Sequence, residues 1–198
     1  MNGFDRRKEQ KRQSIRSSAL ELFTAYGFKK VSINDIAHKA DVSPVTIYTH
    51  FGSKNELVRE VVKTELQGML ERYREIMKGE RPFPEKLKAI IFDKTKIAGQ
   101  YQGEWIQAIL QSDPELKRFI ESFWQQEVVQ LTVDFLSEGK TQGHVNLEMS
   151  QEALLLYLEI WRKGVFASAD LLANIGQNVK LFSELNHLIV YGLLGKKE

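Results

Sequence analysis

An all-α protein of about nine helices is predicted, and three observations predict it. Apolar residues recur at three- and four-residue spacing along most of the 198-residue chain. Ser, Asp and Pro stand where helices begin, and Gly stands where they end. Strand signals are scarce. The same marks divide the chain into a head of three helices over residues 1–53 and a larger helical body over residues 54–198.

In the first helix Ile15, Ala19, Leu22, Phe23 and Tyr26 form one apolar stripe. Gly27 fits a left-handed exit, and Phe28 is placed to pack back on Phe23. Ahead of the stripe lie Arg6, Arg7, Lys8, Lys11 and Arg12, whose charges oppose the dipole of a helix N-terminus. They read either as a solvated tail or as a basic arm that reaches phosphates or the minor groove.

Residues 31–56 carry three helix starts. Ser32 is followed at the third position by Asp35, and Ser53 by Glu56, so each Ser accepts from a first-turn amide while the acid reaches back. Between them Ser43 precedes Pro44, whose missing amide proton had no helical partner to lose. Val42 and Ile47 bracket the Ser43 cap as a hydrophobic staple. Helix, tight turn, helix is the geometry of a DNA-reading helix-turn-helix, although three capped helices in a plain bundle would show the same caps. The middle helix, Pro44–Phe51, is two turns long and too short to stand alone. Ile47 and Phe51 suit a core, which leaves Val45, Thr46, Tyr48, Thr49 and His50 for other faces. A surface of Thr, Tyr and His with few charges suits base edges and phosphates better than simple solvation.

The run ADVSPVTIYTHFGSKNELV closely resembles the recognition segment of the TetR family of bacterial transcriptional regulators. Tyr48, Phe51, Ser53, Lys54, Glu56 and Leu57 stand where that pattern wants them, and ALELFTAYGFKKVSINDIA resembles the family's first helix and the start of its second. The resemblance covers about residues 12–60. It implies a double-stranded DNA operator as partner, with Ser32, Tyr48 and Lys54 on phosphates and Val45, Thr46 and Thr49 at bases. His50 serves either role, and Ser43 and Pro44 complete the set at the helix start. Asp41 departs from the Gly usual in the turn, and tolerates left-handed backbone less freely. Pro44 and Val45 replace a basic and a small residue, exchanging a phosphate contact for van der Waals contact, for example with a thymine methyl.

Beyond the head, a long fourth helix is expected from Lys54 to about Met77, buried along Leu57, Val61, Val62, Leu66, Met69, Leu70 and Tyr73. Gly79 and Pro82 end it. Further helices are expected from Pro84 to about Ala98 and from Gly103 through Gln111. Pro114, after the Ser112-Asp113 start, opens one that runs to about Glu138. The last two run from Ser150 to about Ala173 and from Gln177 to about Leu194. Apolar stripes on that last pair read as core or as a partner face. The resemblance implies a homodimer built on them, with Tyr157, Trp161, Gly164, Leu181, Leu185, Leu188 and Gly192 at the interface. A twofold dimer presents two reading helices to successive major grooves roughly 34 Å apart or farther, on a near-palindromic operator.

The resemblance also implies that a small-molecule effector, partly apolar, enters the body and releases the DNA. Phe92, Trp105, Ile109, Phe123, Tyr157 and Trp161 are its candidate lining, though large aromatics at helical spacing equally make plain core. Repression is expected over activation, because a dimer covering a promoter blocks polymerase without further surface.

Composition agrees. Residues 1–64 hold 12 basic and 7 acidic side chains, and residues 65–198 hold 16 and 19, so a basic head sits on a mildly acidic body. With no Cys there is neither a disulfide framework nor a thiolate metal site. The N-terminus is charged rather than apolar, and no apolar run is long enough for a bilayer, so a cytoplasmic protein with no membrane partner is expected. Enzyme signals are missing. His38, His50, His144 and His187 fall in unrelated segments without a His-Glu-x-x-His pair, and no nucleophile elbow or phosphate loop occurs. No metal or cofactor is implied. The rival reading is a helical dimer that uses its head for protein contact.

Overall fold

The computed structural model of the chain describes residues 3–100, 113–145, 148, 150–167, 178, 180, 181, 184, 185 and 188. Among these residues every regular element is helical. They are α1 (Gly3–Tyr26), α2 (Ile33–Lys39), α3 (Pro44–Phe51), α4 (Lys54–Lys78) and α5 (Phe83–Gln100). α6 follows without a break through Pro114–Phe123, a π-helical stretch Trp124–Val128, and Val129–Thr141; α7 is Gln151–Ala167. The described residues thus form seven helices where about nine were expected. The helix expected through Gln111 lies outside the described residues, and of the last one only single residues are described.

Two compact units result, residues 1–69 and 70–198, with the division inside α4. In the first, α1 contributes buried Ile15, Ala19 and Phe23, α2 contributes Ile33, Ile36 and Ala37, α3 contributes Ile47 and Phe51, and α4 contributes Leu57, Val58 and Val61. Each large side chain so buried stabilises by about 1.5–3 kcal/mol, which is how helices too short to persist alone are held. Gly27 takes φ +78 and its amide donates to the Phe23 carbonyl at 2.9 Å, while the Phe28 ring meets Phe23 edge-on at 5.9 Å. The exit of α1 therefore follows the sequence expectation. Two features of α1 differ from it. Tyr26 is exposed, although Phe23 in the same last turn is fully buried. The basic stretch is no tail: Arg6, Arg7, Lys8 and Lys11 are exposed residues of the first turns of α1, which begins at Gly3.

In the second unit Phe83 is fully buried and stacks on Phe135 at 4.5 Å and on His144 at 5.9 Å. α6 starts on Asp113, whose Oδ1 accepts from the amides of Glu115 at 3.1 Å and Leu116 at 3.0 Å, with Pro114 next in line. In its π stretch the Val129 amide donates to the Trp124 carbonyl five residues back. Among the described residues of this unit, Lys86 and Arg162 are buried cations. Lys86 Nζ donates to the Met77 carbonyl at 2.7 Å, ending α4, and to both Glu138 oxygens at 2.7 and 3.0 Å. Arg162 bonds Glu159 and Glu121 at 2.8 and 2.9 Å with its guanidinium over the Trp124 ring.

Candidate nucleic-acid interface

Local chemistry sets the geometry of α2, the turn and α3. Ser32 stands in extended conformation and its Oγ accepts from the Asp35 amide at 3.1 Å, while Asp35 Oδ2 accepts from the Ser32 amide at 2.7 Å. This is a reciprocated capping box. The Ser32 hydroxyl also donates to Asp35 Oδ2 at 2.7 Å, and these bonds from Ser32 hold the Asp35 carboxyl below its ordinary range. The chain then reverses at Asp41, the one non-glycine residue with positive φ (+53) among the described residues. The Ala40 amide closes on the Ile36 carbonyl at 2.9 Å, and that of Val42 on Ala37 at 3.0 Å.

Ser43 caps α3. Its Oγ accepts from the Thr46 amide at 3.1 Å and lies 2.9 Å from the Thr46 hydroxyl, with Pro44 in the first turn. At the other end Gly52 takes φ +78 and its amide donates to the Tyr48 carbonyl at 2.8 Å. Ile47 and Phe51, four apart, are buried, so the opposite face is turned outward. There Val45 is 71% and Tyr48 51% exposed, with Thr49 exposed beside them. The Thr49 hydroxyl donates to the Val45 carbonyl at 2.9 Å. Thr46 and His50 are half-buried at the flanks. Val45, Tyr48 and Thr49 thus share one charge-free face of a two-turn helix.

Lys54, in the first turn of α4, directs its Nζ to the Phe28 carbonyl at 2.8 Å and lies 4.4 Å from the Phe28 ring centroid. Burial draws its pKa below the usual lysine value, with Asp35 opposing the shift. The ammonium carries three donors, of which this bond uses one.

Three residues of this neighbourhood were not anticipated in these roles. Arg12 Nη1 donates to the His50 carbonyl at 2.7 Å, its Nη2 pairs with Glu60 Oε2, and Arg16 Nη1 meets Glu60 Oε1 at 2.7 Å. Partners 44 and 48 residues apart leave no local signature in sequence. His50 is held below the ordinary histidine pKa, first by burial and then by the charges of Arg12, Lys8 and Lys11.

The remaining candidates lie in the second unit. Phe92 on α5 is 74% exposed, Phe123 is half-buried and stacks on Phe119 at 5.8 Å, and Tyr157 is partly exposed on α7. Gly164 is exposed on the same helix, and the backbone of Trp161 continues it. Leu181 and Leu185 are half-buried and Leu188 is 68% exposed. Trp105, Ile109 and Gly192 lie outside the described residues. Leu156 and Ile160, both exposed, join Tyr157 on α7 in an apolar surface.

Comparison with known proteins bears on the whole arrangement. The sequence model for bacterial regulatory proteins of the tetR family matches residues 15–61. The uncharacterized HTH-type transcriptional regulator YhgD of Bacillus subtilis is 33% identical over 82 residues, 41% of this chain and 43% of YhgD, so the match spans less than half of that relative. The HTH-type transcriptional repressor KstR2 of Mycolicibacterium smegmatis is 24% identical over 156 residues, 75% of this chain and 74% of its own. Among solved structures, the transcriptional regulator FadR from Bacillus subtilis, in complex with stearoyl-CoA, superposes with a TM-score of 0.67 at 21% identity, covering 91% of this chain and 98% of that one. At such identity the likeness bears on the fold alone.

Proposed function

We propose, for a chain that belongs to the TetR family of bacterial regulatory proteins, that it is a ligand-responsive, DNA-binding transcriptional regulator. The relatives are regulators and not enzymes. Residues 1–53 read the DNA, and residues 54–198 bind the effector and form the dimer. One observation carries this reading: the outward, charge-free face Val45, Tyr48 and Thr49 on a helix whose angle is set by the Ser43 cap, the Asp41 turn and the buried Ile47 and Phe51. Thr46, Thr49 and Val45 meet base edges, while Tyr48, Lys54 and the starts of α2 and α3 at Ser32, Ser43 and Pro44 meet the backbone; His50 lies at the margin.

The protein works as a homodimer on a near-palindromic operator and represses, a small, partly apolar molecule releasing it. The exposed Leu156, Tyr157 and Ile160 on α7 support a partner there, because an apolar surface of this kind is costly to leave in water. A cytoplasmic location accompanies this role; no helix among the described residues is long and apolar enough to cross a membrane.

Selection of genomic fragments at about physiological salt, beside a Tyr48→Ala/Lys54→Ala control, tests the reading. A shared near-palindrome lost in the control is expected. An intact dimer that enriches no duplex, with or without candidate effectors, would instead favour a protein-contact role for the head.

A further inference from the structure

The ion cluster under α3 joins the reading helix to its neighbours on both sides. His50 lies in the last turn of α3, where helix carbonyls lack intrahelical partners. Arg12 supplies one: its Nη1 bonds the His50 carbonyl at 2.7 Å, and its positive charge faces the negative end of the helix dipole. The same guanidinium sits 4.8 Å from the centroid of Phe51, a residue that anchors α3 in the core. Its other nitrogen is held by Glu60 on α4, and Arg16 ties Glu60 back to α1 at 2.7 Å and bonds Glu9 at 2.7 Å. Arg12, Arg16 and Glu60 are all partly buried, unlike the exposed Arg6, Arg7, Lys8 and Lys11 on the same helix. A planar fork bridging a carbonyl, a carboxylate and a ring fixes angles, which a point charge would not.

We propose that Arg12 and Glu60 are positioning residues for DNA reading: they set the orientation of α3 from beneath and couple it to α4, without contacting the nucleic acid. The inference rests on the DNA-reading function proposed above. It separates Arg12 from the basic residues around it, whose charges remain available for phosphates. It also assigns to Glu60, an acid in a domain that approaches a polyanion, a favourable role.

The full-length protein tests this with duplex binding over a range of salt, on the duplex recovered by selection and on an unrelated one. Were only charge at stake, Glu60→Gln would tighten binding to both. The brace predicts that it weakens binding to the selected duplex about tenfold, the scale of one charge-assisted hydrogen bond, and so lowers the ratio of specific to non-specific affinity. Arg12→Gln should act alike with an unchanged salt slope, whereas loss of a phosphate contact would flatten the slope by about 0.9. Arg12→Lys keeps the charge and should still lose specificity. The double variant should be no worse than either single one.

A second readout needs no DNA. In the free protein, Glu60→Gln should speed amide exchange across residues 47–52 several-fold while residues 36–40 keep their protection. Unchanged exchange in α3, or a specificity ratio that holds or rises in Glu60→Gln, would overturn the proposal. A wild-type protein that binds no duplex refutes the DNA-reading function separately, and the exchange result then still decides whether the brace exists.

Discussion

The two units handle charge in opposite ways. In the unit of residues 1–69 the fully buried side chains are apolar, and the ions Arg12, Arg16 and Glu60 lie at its margin, partly in water. In the unit of residues 70–198 cations go inside: Lys86 is 5% and Arg162 7% exposed, the first paired with Glu138 and the second with Glu121 and Glu159. A marginal ion pair contributes little to stability because water competes for it, yet it can still set an angle. A buried pair adds little over apolar packing but is severely missed when one partner goes. The head's ions therefore bear on function, and the body's on folding.

Denaturant unfolding of three variants tests that contrast most directly. Lys86→Ala takes the ammonium from the Met77 carbonyl and from the part-buried Glu138 carboxylate, which keeps its bond from Gln142 at 2.9 Å, and should cost about 1.5–3 kcal/mol. Replacing both partners, Lys86→Met with Glu138→Leu, should recover most of the loss. Glu60→Gln should cost under about 1 kcal/mol. Equal losses for Lys86→Ala and Glu60→Gln would erase the distinction.

A second large effect is purely steric. A Cβ at Gly139 would lie 2.5 Å from one ring carbon of Phe83, 2.6 Å from another and 2.7 Å from Val145 Cγ2. Phe83 cannot yield, since it is fully buried and stacked on Phe135. Gly139→Ala should cost about 1–3 kcal/mol by overpacking. The second unit would then be sensitive in its packing as well as in its ions. A wild-type melting temperature in Gly139→Ala would show that the site relaxes.

How far each unit is legible in sequence follows from the range of the forces that build it. Ser32 with Asp35, Ser43 with Thr46, and Gly27 with Phe28 and Phe23 act over a few residues, so reading along the chain finds them. The Asp113-Pro114 start of α6 is local in the same way. Arg12 with Glu60, or Lys86 with Glu138, is decided by packing across about fifty residues. Periodicity says that a face is apolar without saying what covers it. Tyr26 belongs to the apolar stripe of α1 by spacing and is nonetheless exposed. The π stretch in α6 had no sequence signal, since its composition is ordinary for a helix.

Acid should take the two units apart at different pH. Burial, aided by nearby cations, lowers the His50 pKa from its ordinary 6.5, so the unfolded chain takes up this proton more readily than the folded one. Its contribution to the head is intact above pH 6.5 and is lost as pH falls below that value. Glu159 is drawn from 4.5 down to about 2, chiefly by hydrogen bonds from Arg162. Its contribution to the body is intact above pH 4.5 and fades between there and pH 2. All three Trp lie in residues 70–198, so their fluorescence reports on the body, and amide exchange in α3 reports on the head. The head should loosen first. His50→Gln should remove the head's weakening near neutrality, and Glu159→Gln should flatten the body's acid limb; coincident transitions in the wild type would show that neither group governs its unit.

The smallest effect tests the turn between α2 and α3. The other residues of positive φ among those described, Gly27, Gly52 and Gly143, are glycines, whereas at +53 the turn holds Asp41. An L-residue in that region pays a steric penalty, smaller for Asp and Asn than for most others. Glycine would remove the penalty, but it raises the conformational entropy lost on folding by roughly 0.5–1 kcal/mol. The two nearly cancel, and Asp41→Gly should stabilise the head by only a few tenths of a kcal/mol. Thermal unfolding followed through α3 would resolve the sign, with the Trp signal of the body as an internal reference. A clear loss of stability would mean that the Asp41 carboxylate holds the turn itself, so that the angle of α3 is set from above as well as from beneath by Arg12.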